Sequence, residues 1–178
     1  MQKIKKTVSG LSKFEFKAKE MEKSFSHLDP EGNPTMVDVG AKAVTERIAV
    51  ARTTIVLDED IVARFEDDEI HTKKGPVFQT AIIAGVMAAK KTSDLIPLCH
   101  PLSLDKCSID ITINEQKEVE ITCTAKISSK TGVEMEALTG ATVAALTIYD
   151  MCKGFSHNIV IRNTQLMEKT GGKSDFKR

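Results

Sequence analysis

The residues best suited to chemistry are a few carboxylates set among many cations. Asp150 and Lys153 are three positions apart, so on a helix they share a face and can act on one ligand. Glu134 and Glu136 lie upstream on the same segment. His100 precedes Pro101, which keeps it out of the helical region and holds it on a stiff, extended loop. Arg47, Lys74, Lys169 and Lys173 add positive charge, the last two flanking Gly171-Gly172, where the backbone can approach a phosphate. Such a mix suits an anionic, phosphorylated substrate that needs proton transfers. Each residue also has an ordinary explanation: a solvated ion pair, a capping glutamate, a structural histidine, a basic tail.

What must position them is Lys130 to Lys153, KTGVEMEALTGATVAALTIYDMCK. Thr131 and Glu134 have capping-box spacing, so a helix is expected to begin there. Gly154 stands where a helix end takes a left-handed residue. Leu138, Ala141, Thr142, Ala145, Tyr149 and Cys152 recur at three- and four-residue steps as one stripe, with Glu136, Asp150 and Lys153 on its flank. Because most of the helix is apolar, a charge on that flank is expected to face a cleft rather than open water. Glu136 and Asp150 are fourteen residues apart, roughly 21 Å along an unbroken helix. One small ligand does not span that on one chain. Either the helix starts later, or the pocket is built from two subunits.

Elsewhere, residues 42–57 read as a strand with β-branched Thr53, Thr54, Ile55 and Val56. A surface helix is expected from Asp58 through Glu69, and a loop at HTKKGP, 71–76. Residues 77–91 form a helix apolar nearly all round, which must be covered on two sides, by its own sheet and by a second subunit. Ile109, Ile111 and Ile113, then Val119, Ile121 and Cys123, alternate as two strands of a hairpin. Residues 158–166 form a last strand, followed by a flexible basic tail. Strand, helix, strand, strand, helix, strand is the split βαβ order of an α+β, ferredoxin-like antiparallel sheet with helices packed on one face.

At 178 residues the chain fits one domain. Residues 1–23 are a lysine-rich arm, mobile or an added extension ahead of a start at Met21; residues 24–178 are the catalytic domain. The net charge is zero, with no Trp and one Tyr, which disfavours nucleic acid as a partner. Cys99, Cys107, Cys123 and Cys152 form no C-x-x-C pair and read as reduced thiols, with no metal site. No apolar run is long enough for a membrane span. A cytoplasmic protein without cofactor or metal is expected.

The central helix resembles the signature helix of the cyclic pyranopterin monophosphate synthase family of molybdenum cofactor biosynthesis. LIPLCHPL at 95–102, MVDVGAK at 36–42 and KTGGKSDF at 169–176 resemble three more of its motifs, in the same order. The resemblance runs from about His27 to Phe176. It implies rearrangement of 3′,8-cyclo-7,8-dihydro-GTP, a purine-derived triphosphate, to cyclic pyranopterin monophosphate with release of pyrophosphate. It implies that Asp150 and Lys153 are the catalytic acid/base pair and that Leu98, Cys99, His100, Met135 and Glu136 line the substrate. Lys74, Lys169 and Arg47 would meet the triphosphate. It also implies a homohexamer, a trimer of dimers, with sites at subunit contacts. Departures are Gly140, where many relatives carry another small residue, and a missing glycine between Ser174 and Asp175, which bears on Lys169 and Lys173. The competing class is a non-catalytic, ferredoxin-like nucleotide-binding regulatory module. It leaves the carboxylate and lysine on an apolar helix without a role.

Overall fold

The computed structural model describes Asp29 and residues 31–178, so the arm expected over residues 1–23 lies outside the described residues. In chain order the elements are β1 (Thr45–Val56), α1 (Glu59–Val62), β2 (Phe65–Glu66), β3 (Glu69–Thr72), β4 (Gly75–Pro76), α2 (Val77–Ala89) and α3 (Thr92–Leu95). They continue as β5 (Lys106–Ile113), β6 (Val119–Ser129), α4 (Glu134–Cys152), β7 (Val160–Thr170) and β8 (Phe176–Lys177). The main sheet runs β5-β6-β1-β7-β8, and every pairing in it is antiparallel. This is the α+β, ferredoxin-like arrangement expected from the order of strands and helices.

Alternation builds the core. Ala49, Ala51, Thr53 and Ile55 on β1, with Ile121, Cys123, Ala125 and Ile127 on β6, are buried under α2 and α4, as the two-residue period of a strand dictates. The two helices touch through glycine. A side chain on Gly85 of α2 would meet the Gly140 carbonyl oxygen at 2.8 Å, and one on Gly140 would meet the Cys123 sulfur at 2.7 Å. Gly140 weakens the helix by about 1 kcal/mol in intrinsic propensity, but here it admits α2 and the sheet together.

Five local expectations change. The surface helix through Glu69 is only one turn, α1, because Asp67 and Asp68 take φ of 49° and 61° and turn β2 into β3. Positive φ at both central residues is what a type I′ hairpin turn requires, and Asp tolerates it. The expected loop at 71–76 is likewise a hairpin: Thr72 pairs with Gly75, placing Lys73 and Lys74 at its tip. At α4, Val133 is the N-cap and no side chain caps it, so the Thr131–Glu134 box does not form. Gly154 is not left-handed, because Lys153 continues in helical geometry and the Phe155 N–H closes a tight turn on the Cys152 carbonyl at 2.9 Å. The tail is also more ordered than expected, with Lys169 pairing with Phe176.

The N-terminus of α2 is capped from a distance. Pro76 occupies the N-cap and contributes no side-chain bond. Instead the buried Glu69 carboxylate of β3 accepts the N–H groups of Phe78 at 2.7 Å and Gln79 at 3.1 Å, and that of Ile70 at 2.8 Å. A carboxylate at a helix N-terminus meets both orphan donors and the positive end of the dipole. It also ties the hairpin carrying Lys74 to the helix layer.

Candidate functional site

Helix α4 is unbroken from Glu134 to Cys152, so the separation of roughly 21 Å between Glu136 and Asp150 holds. Each end of the helix opens onto its own pocket.

At the N-terminal end lies a pocket of about 350 Å³ whose walls include Leu98, Cys99, His100, Glu134, Met135 and Glu136. The loop of residues 36–42 closes one side with Val37, Val39 and Lys42. Among the bonds that hold this loop, Lys130 Nζ donates to the Gly40 carbonyl at 2.6 Å and the Gly40 N–H to Asp38 Oδ1 at 2.7 Å. His100 Nε2 donates to the Val37 carbonyl at 2.9 Å. A carbonyl only accepts, so Nε2 carries a proton and Nδ1 is left for a ligand. Glu136 is 4% exposed. Burial raises its pKa above the ordinary carboxylate value, its own backbone N–H partly opposes this, and the nearby charge of Glu134 adds to the rise. Burial and the Glu136 charge also push the Cys99 thiol up.

Lys169 pairs with Ala49 across β1 and β7, so its side chain shares the helix-facing side of the sheet. From there Lys169 Nζ reaches Glu134 Oε1 at 3.2 Å. Arg47 is two residues from Ala49 on the same face. Its guanidinium approaches the turn at Gly172, where an added Cβ would sit 3.0 Å from Nη1. Arg47 Nε is buried and has no hydrogen-bond partner among the described residues. Gly171 has φ of 78°, and any side chain there would strike the Glu46 carbonyl, so this turn demands glycine.

At the C-terminal end Asp150, Lys153 and Lys74 line a second pocket of about 390 Å³ with Lys73, Met151 and Phe155. Asp150 is held between two lysines: Lys74 Nζ at 2.8 Å on one oxygen and Lys153 Nζ at 2.7 Å on the other. Lys74 also donates to the Asp150 carbonyl at 3.0 Å. The bonds from Lys153 and then Lys74 lower the Asp150 pKa to about 2. Reciprocally, Asp150 raises the Lys153 pKa. Both groups are therefore charged across the neutral range.

Thus the predicted site residues divide. Leu98, Cys99, His100, Glu134, Met135 and Glu136 meet at one end of α4, with Lys169 at the rim and Arg47 at the same end of the sheet. Asp150, Lys153 and Lys74 meet at the other. Lys74, which the resemblance groups with Lys169 and Arg47 as contacts for the triphosphate, stands apart from them within one chain because the hairpin carries it to the last turn of α4. Lys173 is exposed on the turn before β8 and lines neither pocket. Lys42, Lys73 and Phe155 line the pockets but were not picked out; only the register of two turns and one loop places them. Among the described residues no group of His, Cys, Asp or Glu side chains is arranged to hold a metal, and no helix is long and apolar enough to cross a membrane.

Residues 36–172 match the model of the MoaC family. The chain belongs to the MoaC family. Among family relatives, the cyclic pyranopterin monophosphate synthase of Xanthomonas oryzae is 47% identical over 159 residues, covering 89% of this chain and 96% of that one. The molybdenum cofactor biosynthesis bifunctional protein of Synechocystis is 54% identical over 155 residues, covering 85% of this chain and 45% of that protein. Molybdenum cofactor biosynthesis protein 1 of Dictyostelium discoideum is 46% identical over 167 residues, and the chain spans 26% of its length. The chain therefore spans less than half of two longer MoaC-family relatives and nearly all of the Xanthomonas protein.

Proposed function

We propose that this chain is a cyclic pyranopterin monophosphate synthase: it converts 3′,8-cyclo-7,8-dihydro-GTP to cyclic pyranopterin monophosphate and pyrophosphate. The observation that carries the reading is the pair of half-sites at the two ends of one family helix. One holds a buried carboxyl with raised pKa beside His100. The other holds a carboxylate locked between two ammonium groups. A rearrangement that opens one ring and closes another needs a proton acceptor and a proton donor of different character, and these two environments supply them.

In this reading Lys153 delivers protons and Asp150 holds its ammonium in place. Glu136 and His100 handle protons at the heterocycle. Lys42, Arg47 and Lys169 offset charge on the triphosphate as pyrophosphate leaves. No single chain brings the half-sites within reach of one ligand, so the working site is composed across a subunit contact, with the N-terminal pocket of one chain facing the C-terminal pocket of another. The apolar side chains Ile83 and Met87 of α2, 61% and 52% exposed, support burial by a second copy. A homohexamer built as a trimer of dimers, working in the cytoplasm, is the assembly we favour.

The test is an anaerobic assay with the cyclic GTP-derived intermediate, following pyrophosphate and a pterin fluorophore. Wild type gives both, and Asp150→Asn gives each about a thousandfold more slowly or slower still. Glu136→Gln and Asp150→Asn chains, each strongly impaired, are then unfolded together and refolded. A site shared across a two-fold regains activity at about a quarter of the sites by statistical pairing. Wild type that binds the intermediate and releases nothing would favour the regulatory binding module instead.

A further inference from the structure

We propose that Phe155 is the stacking wall of the Asp150 pocket, the surface against which the flat purine-derived ring of the substrate lies, with Arg64 holding Phe155 in place. This deepens the synthase reading and rests on it for the identity of the ligand, though not for the test.

Phe155 follows the last turn of α4, and its N–H bond to the Cys152 carbonyl, 2.9 Å long, fixes where the side chain leaves the backbone. The ring is 40% exposed, yet it does not lie loose on the surface. The Arg64 guanidinium carbon sits 4.4 Å from its centroid, a cation–π contact that occupies one face. Arg64 is not part of the pocket wall, whereas Phe155 is, together with Asp150, Lys153 and Lys74. The pocket therefore presents an aromatic surface beside a cluster of ammonium groups. Aromatic surface with neighbouring cations is the pattern that binds a flat heterocycle carrying phosphate, the ring by stacking and the phosphate by charge.

Scarcity strengthens the assignment. The chain has no Trp and one Tyr. Among the described residues the only aromatic side chains well exposed are Phe155 and Phe176, and Phe176 lies on β8, outside both pockets. The guanidinium on one face also draws π density toward itself, which suits the free face to an electron-rich heterocycle.

The experiment measures binding of GTP and of inorganic tripolyphosphate by calorimetry to wild type, Phe155→Leu, Phe155→Tyr and Arg64→Ala. GTP carries the purine and the triphosphate but lacks the cyclised bond on which the reaction acts. Phe155→Leu should weaken GTP about tenfold and leave tripolyphosphate within about twofold. Phe155→Tyr, which keeps the ring, should restore GTP binding, and Arg64→Ala should lose about threefold for GTP alone. Equal losses for both probes, unchanged GTP binding by Phe155→Leu, or wild type that binds GTP no tighter than tripolyphosphate would overturn the assignment. The reaction reading fails separately: a wild type whose GTP binding depends on Phe155, but which releases no pyrophosphate from the cyclic intermediate, would refute the synthase and keep the stacking wall.

Discussion

At the first turn of α4 Glu136 is 4% exposed, and burial makes its proton harder to remove. At the last turn Asp150 stands half in solvent, and two lysines hold its pKa near 2. The same helix thus carries one carboxyl that leans toward the neutral form and one that stays ionised. Desolvation sets the first and hydrogen-bonded charge sets the second, two of the three ways a protein moves a pKa. In the synthase reading the contrast gives the two pockets different tasks. At the buried end the cations, Lys42 in the wall and Lys169 on Glu134, leave Glu136 itself unpaired among the described residues, whereas at the other end both lysines are engaged by Asp150.

Removing the charged end should have the largest effect. Asp150→Asn leaves Lys74 and Lys153 facing each other without the carboxylate, and turnover should fall by about a thousandfold or more. Whatever activity survives should show its basic limb at lower pH. Asp150 raises the Lys153 pKa, so its loss lets the ammonium give up its proton earlier. A pH–rate profile on concentrated variant reads this; an unmoved basic limb would sever the link between the two residues.

The buried end gives a smaller loss in rate and a gain in stability. Glu136→Gln should cost about a hundredfold in kcat/KM. Its folded pKa is raised, so the native carboxyl stabilises the fold when protonated and that contribution is lost as pH rises through the folded value. Gln stays neutral. The variant should therefore melt a few degrees higher than wild type near pH 7.5 and no higher near pH 4, as scanning calorimetry would reveal.

Glu69 sharpens the comparison from outside either pocket. Glu69→Ala strips three N–H groups of their acceptor and should cost about 2 kcal/mol of stability, with a KM increase as the Lys74 hairpin loses its tie to α2. Glu69→Gln, which still accepts, should lose about half as much in chemical denaturation. The smallest effect is expected at Lys42 on the N-terminal pocket: Lys42→Ala should raise KM by about three- to tenfold with kcat nearly unchanged, since an exposed lysine adds attraction without moving protons.

Much of this was legible in the sequence for identifiable reasons. Clean alternation in β5 and β6 and the small-residue stripe of α4 depend on period alone, so strand order and helix placement followed. The division of the site into two ends also followed from a residue count along one helix. What did not follow is set by contacts between segments distant in sequence. The Asp67-Asp68 turn, the Lys73-Lys74 tip and the Glu69 cap are chosen by tertiary context, and an acidic run such as EDDE reads as a helix until its turn is seen. That Lys74 pairs with Asp150 was not legible for the same cause: nothing local says that a hairpin folds toward residue 150. Gly154 resembled a helix stop of one kind and served as another, because Lys153 ends the helix within the right-handed region.

The close approach of Gly140 to the Cys123 sulfur has a chemical consequence. Cys123 is fully buried while Cys99 and Cys107 are partly exposed, and its neighbour Cys107, 3.9 Å away, together with burial, suppresses its ionisation further. An alkylating reagent reaches this sulfur only when the helix layer lifts from the sheet. The molecule therefore carries an internal clock: the rate at which Cys123 is modified, after the outer thiols are spent, counts how often the protein opens.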